Sequence, residues 1–328
     1  MTENEFLLQD RLGVIRDTIN KYGEENWYIS FSGGKDSTVI HHLVDMALPD
    51  NKIPRVFSNT GIEYQAIVEF VKEIADDRFV IIPPSKNIRE TLEKVGYPFK
   101  SKMYSNWLKE YQKHADRIDP YIKMVEEDAT LLDSYDFIHN LPVNVKFVIS
   151  QIYGRREREG ELYRYDGAPK KLMYQFNQDF KLKVSDLCCV EFKEKPLKDW
   201  QKKNKKKCKI LGLMQEEGGR RDRAKCIVYR GAKITFSPLV KVSKEWEDWF
   251  IQEYNIKLCK LYYPPYNFSR TGCKGCPFNI HIQRELDTMS HCGMEAERRQ
   301  CEAIWKPVYD EYRRIGYRLR DEDQMRLF

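Results

Sequence analysis

Six consecutive residues, Ser32-Gly33-Gly34-Lys35-Asp36-Ser37, carry the types and spacing most suited to chemistry. They follow the apolar run Trp27-Tyr28-Ile29-Ser30-Phe31 and precede the helix-like Thr38-Val39-Ile40-His41-His42-Leu43-Val44. A strand that turns through two glycines into a helix start aims unpaired backbone N–H groups at one spot. The helix dipole adds positive potential there, so the turn is a cradle for an anion such as phosphate. Glycine is needed because a Cβ would keep the backbone from closing around phosphate oxygens. Lys35 supplies a mobile point charge, and Ser32 and Ser37 supply hydroxyl donors. The spacing excludes a Walker P-loop, which needs four residues between its first glycine and its Gly-Lys pair. An ordinary glycine turn before a helix is the competing reading.

Cysteines form the second constellation. Cys188 and Cys189 are adjacent, and Cys273-Lys274-Gly275-Cys276 makes a C-x-x-C ahead of Pro277. Structural zinc sites draw on two spaced hooks, a geometry that an adjacent pair fits poorly. An iron–sulfur cubane offers one iron to each of four thiolates, so a vicinal pair can bind two different irons. The set Cys188, Cys189, Cys273 and Cys276 is therefore expected to hold a [4Fe-4S] cluster, with zinc or a redox pair as the alternative for an isolated C-x-x-C. Cys208, Cys226, Cys259, Cys292 and Cys301 are expected to behave as small buried hydrophobes.

Composition bounds what can position these groups. The 328 residues allow about two domains and a substantial core. The polar start, Met1-Thr2-Glu3-Asn4-Glu5, has no signal-peptide pattern, and no apolar run approaches the roughly 20 residues of a membrane span. Nine cysteines without a secretory signal point to a reducing, cytoplasmic compartment. The net charge of +6 is modest, but basic residues cluster at 202–207 and 220–225. A solvated face is the common meaning of such runs, and a nucleic-acid backbone is the alternative.

The elements around the hexapeptide alternate. Helical spacing of Leu7, Leu8, Leu12, Ile15 and Ile19 predicts a helix over 6–21 that ends at Gly23. A strand follows over 27–31, then a helix to about 48, a strand over 56–58 and a helix over 63–76. A strand over 79–82 and a helix over 87–94 complete the series. Such alternation predicts an α/β fold with a doubly wound, mostly parallel sheet, whose ligands sit beyond the carboxyl ends of the strands. Residues 104–127 read as a helix, and 154–160 as an exposed charged loop. Neither repeats nor low-complexity linkers are present, so one elaborated domain is expected. Its expected division is a nucleotide-binding part over 1–240, with a mostly helical insertion at 100–180, and a helical C-terminal segment over 241–328 that closes the cysteine site.

The loop resembles the pyrophosphate-binding S-G-G-x-D-S loop (PP-loop) of the adenine nucleotide alpha hydrolase-like superfamily, a Rossmann-like group. Those enzymes hold the β- and γ-phosphates of ATP while the α-phosphate is attacked. Joined to the cysteines, the loop resembles the phosphoadenosine phosphosulfate (PAPS) reductase family and its cluster-bearing adenylylsulfate (APS) reductase branch. That branch has C-C-x-x-R-K-x-x-P-L after the cysteine pair; here Lys193, Pro196 and Leu197 match, and Phe192 replaces the arginine. The next motif, G-x-R-x-x-[EQ]-[SG]-x-x-R, is matched by Gly212, Glu217, Gly218 and Arg221, with Met214 in place of the first arginine. Asn59-Thr60-Gly61 resembles the family's D-T-G, although a plain strand-to-helix turn explains these residues equally well. The resemblance runs over about 25–280.

Reductases of this family attack a sulfonucleotide with a cysteine in an E-C-G-L-H tail, a sequence absent from residues 320–328. A complete pyrophosphate loop without that nucleophile implies an ATP pyrophosphatase-type enzyme that adenylylates an acceptor for sulfur incorporation. DNA phosphorothioation components and tRNA thiolases use that chemistry. On this resemblance ATP and Mg²⁺ are the cofactors beside the cluster. Ser32, Gly33, Gly34, Lys35, Asp36, Ser37, Asn59, Thr60 and Gly61 would contact the nucleotide, and Lys35, Asp36, Lys193 and Arg221 would act in the reaction. A DNA or tRNA acceptor and a cysteine desulfurase-like sulfur donor are the implied partners, with no membrane. An assimilatory APS or PAPS reductase, with Cys292 or Cys301 as nucleophile, and a non-catalytic nucleotide- or DNA-binding subunit are the alternatives.

Overall fold

The computed structural model describes residues 1–217 and 223–320. Helix α1 (Glu3–Tyr22) starts with a capping box in which Thr2 and Glu5 satisfy each other's backbone amides. Strand β1 (Trp27–Phe31) then leads through the glycine turn into α2 (Lys35–Ala47). Next come β2 (Arg55–Ser58), α3 (Gln65–Ile74), β3 (Phe79–Ile82) and α4 (Ile88–Val95). The sequence-based expectations hold for this series: the strands over 27–31 and 79–82 match at both ends, and other ends differ by up to three residues because terminal turns lack apolar periodicity.

Helix α5 (Lys102–Glu127) bends at His114, whose backbone leaves helical geometry. Helices α6 (Tyr135–Asn140) and α7 (Val143–Ile152) follow. The stretch read as an exposed loop at 154–160 is instead a hairpin of β4 (Arg155–Arg158) and β5 (Glu161–Arg164). Its Arg-Arg-Glu-Arg strand carries no apolar face, so alternation could not reveal it. Then come α8 (Lys195–Lys203), β6 (Cys208–Ile210), β7 (Ile227–Arg230), β8 (Lys233–Phe236) and α9 (Lys244–Glu253), and finally α10 (Ile282–His291) and α11 (Glu295–Arg314).

Six strands form one sheet in the order β3-β2-β1-β6-β8-β7. All neighbours are parallel except β7, which pairs antiparallel with β8 at the edge. The fold is therefore α/β with a mostly parallel sheet and a helical C-terminal segment. The chain folds into two compact units. The first, Met1–Lys86 with Glu191–Lys274 and Thr288–Glu297, holds the sheet; the second comprises Asn87–Val190, Gly275–Asp287 and Arg298–Phe328.

Parallel strands covered on both faces are apolar throughout. In β1, Trp27, Tyr28, Ile29 and Phe31 are all buried, and so are Val39, Ile40, Leu43 and Val44 of α2. Each such side chain contributes up to about 1.5–3 kcal/mol on leaving water. That packing holds the β1–α2 turn in place. The second unit is organised around α5 and α7, whose buried Trp107, Leu108, Val148 and Ile149 form its core.

Candidate functional site

The strand order reverses at β1, because β2 lies on one side of it and β6 on the other. In parallel sheets that reversal opens a crevice beyond the strand ends. Residues 32–37 sit there. Gly33 has φ +71°, and a Cβ on it would come within 2.9 Å of the Ile67 and Val71 methyls of α3. The turn therefore needs glycine both for its conformation and for the approach of α3. Gly34, in extended geometry, is the N-cap of α2, and Thr38 N–H donates to its carbonyl at 3.0 Å. Ser37 Oγ also donates to the Gly34 carbonyl at 2.9 Å, and lies 3.0 Å from Ser32 Oγ.

A cavity of about 570 Å³ opens over the turn, within the range of nucleotide-sized sites. Ser32, Gly34, Lys35, Asp36 and Ser37 form one wall. Gly212, Met214, Glu247, Tyr262 and the Ser269-Arg270-Thr271 run form the others. A Cβ on Gly34 would stand 3.2 Å from both Ser32 Oγ and Thr271 Oγ1 and 3.4 Å from the Tyr262 hydroxyl. The floor of the cavity is thus a cradle of hydroxyls and backbone that a side chain would fill. These groups fit the phosphate chain of a nucleotide. Tyr262 OH accepts from the Lys35 N–H at 3.0 Å and is 2.8 Å from Thr271 Oγ1. A neutral oxygen therefore already sits on the helix amide where an anionic oxygen would bind.

Lys35 reaches across to α9. Its ammonium donates to Asp248 Oδ1 at 2.9 Å and lies 3.0 Å from Glu247 Oε2. Burial works against its charge, but these two carboxylates outweigh it and push its pKa up to about 12. Glu247 is fully buried, and neither of its oxygens accepts a hydrogen bond. The Lys35 contact is thus an ion pair off hydrogen-bond angle. Burial first and then the charge of Asp36 raise the Glu247 pKa, which Lys35 opposes, to about 7.

A second, smaller cavity of about 100 Å³ adjoins the turn, lined among others by Ser32, Ser58, Glu63, Lys193 and Thr271. Glu63 is buried and accepts from the Thr60 N–H at 2.8 Å and from the Thr60 hydroxyl; Lys193 lies 3.2 Å from its other oxygen. Residue 63 also bridges backbone-to-backbone with Cys273. Asn59 accepts from the Gly61 N–H at 2.9 Å, and Thr60 Oγ1 from the Ile62 N–H at 3.1 Å. The polar atoms of Asn59-Thr60-Gly61 thus serve their own turn, and these residues line neither cavity.

Of the residues expected from sequence, Ser32 to Ser37 come together at the larger cavity and Lys193 at the smaller one. Arg221 lies outside the described residues. Cys188 is buried and Cys189 half-buried, both just ahead of a π-helical turn over Val190–Glu194. Cys273 and Cys276 are half-buried on either side of Gly275, which has φ +62°. Four thiols are the donor set of an iron–sulfur cubane. Among the described residues, no group of three or more His, Cys, Asp or Glu side chains stands ready-made to hold a metal. No described helix is long and apolar enough to cross a membrane.

Sequence reasoning missed Glu247, Asp248, Tyr262 and Thr271. The signal for Glu247 is faint: an acid between Trp246 and Phe250, on the face of α9 that those buried rings occupy.

Residues 26–131 match the phosphoadenosine phosphosulfate reductase domain. The matched segment contains the loop, β1 to β3 and Glu63. No curated protein matches the sequence. Among solved structures, phosphoadenylyl-sulfate (PAPS) reductase from Candida auris, a phosphate complex, is similar at 11% identity and a TM-score of 0.38, covering 80% of this chain and 91% of that one. The U34-tRNA thiolase NcsA from Methanococcus maripaludis, with its [4Fe-4S] cluster, is similar at 13% identity and a TM-score of 0.36, covering 97% of this chain and 82% of that one.

Proposed function

We propose that the chain is an ATP pyrophosphatase-type enzyme related to PAPS reductases, which cleaves ATP to AMP and pyrophosphate while adenylylating an acceptor for sulfur incorporation. The observation that carries the reading is the complete Ser32–Ser37 loop at the strand-order reversal, under a cavity of about 570 Å³. In this reading the loop amides and the Ser32 and Ser37 hydroxyls bind the β,γ-phosphates. Lys35 exchanges its α9 carboxylates for a phosphate oxygen and neutralises charge that grows on the departing pyrophosphate. Mg²⁺, when bound with the nucleotide, supplies further charge neutralisation. Asp36 orients the loop, and Lys193 faces the acceptor side from the smaller cavity. Arg221 is proposed as a further cation for nucleotide or acceptor.

The four thiols of Cys188, Cys189, Cys273 and Cys276 are proposed as iron–sulfur ligands on their donor chemistry, and no step is routed through them. The acceptor is proposed to be nucleic acid, on the strength of the basic run at 202–207. Sulfur would come from a cysteine desulfurase-like donor.

The test is anaerobic incubation of the purified protein with Mg·ATP and, separately, with adenylylsulfate or its 3′-phosphate. Pyrophosphate from ATP is expected. Sulfite from the sulfonucleotides would replace this reading with an assimilatory reductase.

A further inference from the structure

Strand β6 carries a lysine at its centre. It lies inside the sheet, parallel to β1 on one side and to β8 on the other, a position that ordinarily holds apolar residues. Cys208 and Ile210 are buried on one face of the strand, and Lys209 stands half-buried on the other. The register sets Lys209 level with Tyr28 of β1 and Thr235 of β8. Tyr28 packs on Trp200 of α8, with ring centroids 5.4 Å apart, so α8 covers this face over β1. Beyond α8 the same face continues with Thr235, then Lys233, and then Arg230, which is level with Lys233 across the edge strand β7. Lys233 and Arg230 are exposed.

Arg230, Lys198 of α8 and Lys233 are close enough that their charges join burial in lowering the Lys209 pKa. Glu194 opposes them, but its carboxylate is paired with Lys198 at 3.1 Å. Among the described residues, none of Lys209, Arg230 and Lys233 has an ion pair. A half-buried ammonium among like charges is costly, and a bound anion removes that cost. Three adjacent strands span about 10 Å, wider than one phosphate can bridge, so successive phosphates fit the row better than a single one. The row also has a direction. The basic run at 202–207 enters β6 from one end, and at the other Leu211 and Gly212 line the larger cavity.

We propose that Lys198, Lys209, Arg230 and Lys233 on the β6–β8–β7 face form a docking surface for the phosphate backbone of a nucleic-acid strand, leading it to the larger cavity. The proposal deepens the nucleic-acid acceptor reading above and rests on it for the occupant. A merely solvated basic face is the competing account, and it leaves the lysine inside the sheet unexplained.

The test is fluorescence anisotropy of a labelled mixed-sequence single-stranded DNA and, separately, of labelled bulk tRNA, each titrated with the full chain at several salt concentrations. Wild type is compared with K209M, R230Q/K233Q and, as a control, K123Q, which alters an exposed lysine of α5. Wild type and K123Q should bind alike. K209M and R230Q/K233Q should weaken binding several-fold, and the slope of log K against log salt should shrink by about one and about two respectively. Circular dichroism checks folding; if K209M is unfolded, R230Q/K233Q decides. Wild type that binds neither probe at low salt, folded variants with wild-type affinity and slope, or equal competition by polyglutamate overturns the proposal. Binding that depends on these residues in a protein that releases no pyrophosphate from ATP leaves the surface standing and removes the ATP reading. Pyrophosphate release without binding of either probe does the reverse.

Discussion

Lys35 and Glu247 define the site at the scale of single residues. Their contact, with that of Lys35 to Asp248, links the phosphate loop to α9 in a way that sequence spacing does not encode. Removing the ammonium leaves the fully buried Glu247 and the exposed Asp248 without their cation. K35M is therefore expected to destabilise the protein by about 1–3 kcal/mol, the cost of leaving a buried charge unpaired. K35M/E247Q should regain most of that loss, because the carboxamide carries no charge. Denaturant melts of the four corners of this cycle check it, and equal stability of K35M and the double variant would contradict it. Tyr262 makes a second prediction. Its hydroxyl takes the Lys35 N–H at 3.0 Å, so it competes with a phosphate oxygen for that amide. Y262F should bind ATP a few-fold more tightly, by calorimetry; weaker binding would mean that the hydroxyl contacts the nucleotide itself.

Beneath the loop, helix α2 is held to β2 by a buried polar network. Arg55 is fully buried and donates to His41 Nδ1 at 3.1 Å, to Asn51 Oδ1 at 2.7 Å and to Asp45. Burial, with Arg55 adding repulsion, lowers the His41 pKa to about 4 from an ordinary 6.5. A depressed folded-state value means that the unfolded chain binds the proton first. Stability from this source is full above about pH 6.5, falls as pH drops toward about 4, and amounts to about 3 kcal/mol when lost. Asp45, whose pKa is lowered by Arg78 and Arg55 against the pull of burial, adds a further loss at lower pH. H41Q keeps an acceptor for Arg55 and should flatten the thermal-melt profile between pH 6.5 and 4. An unchanged slope would assign that acid sensitivity to other groups.

The elements nearest the loop were legible because β1, α2, β2, α3 and β3 have the apolar runs and periodicity that burial demands. Strands β6, β7 and β8 span only three or four residues each, too few for periodicity to register. The β4–β5 hairpin shows an alternating burial pattern along Arg155–Arg158, but with charged side chains on both faces. At the site, Ser32 to Ser37 were legible because a local turn is written in consecutive residues. Glu247, Tyr262 and Thr271 reach it from some 200 residues away, and only the folded chain reveals that approach. Met214 and Phe192, where the resemblance implies arginines, are buried apolar groups.

For the whole molecule, the charge distribution bears on the acceptor. The run at 202–207 leads into β6, where burial, with Arg230, Lys198 and Lys233, lowers the pKa of Lys209 against the opposing charge of Glu194. Such a concentration of like charge is relieved by a polyanion. If the acceptor is nucleic acid, replacing Lys202, Lys203 and Lys205 with glutamine should weaken binding across sequences. The slope of log K against log salt should also shrink by up to about one per lysine. Binding that is absent in wild type, or indifferent to these lysines, would point to another acceptor. Iron and acid-labile sulfide near four per chain in anaerobic preparations, lost in C276S, would bear out the proposed cluster. Preparations without iron would favour a purely structural role for these cysteines.

The most direct measurement is the fate of ATP labelled at its α-phosphate, incubated with the anaerobically purified protein, Mg²⁺ and nucleic acid. The account predicts AMP or an adenylylated acceptor with an equal amount of pyrophosphate, and loss of both in K35M. ADP with inorganic phosphate, or turnover that survives K35M, would contradict it.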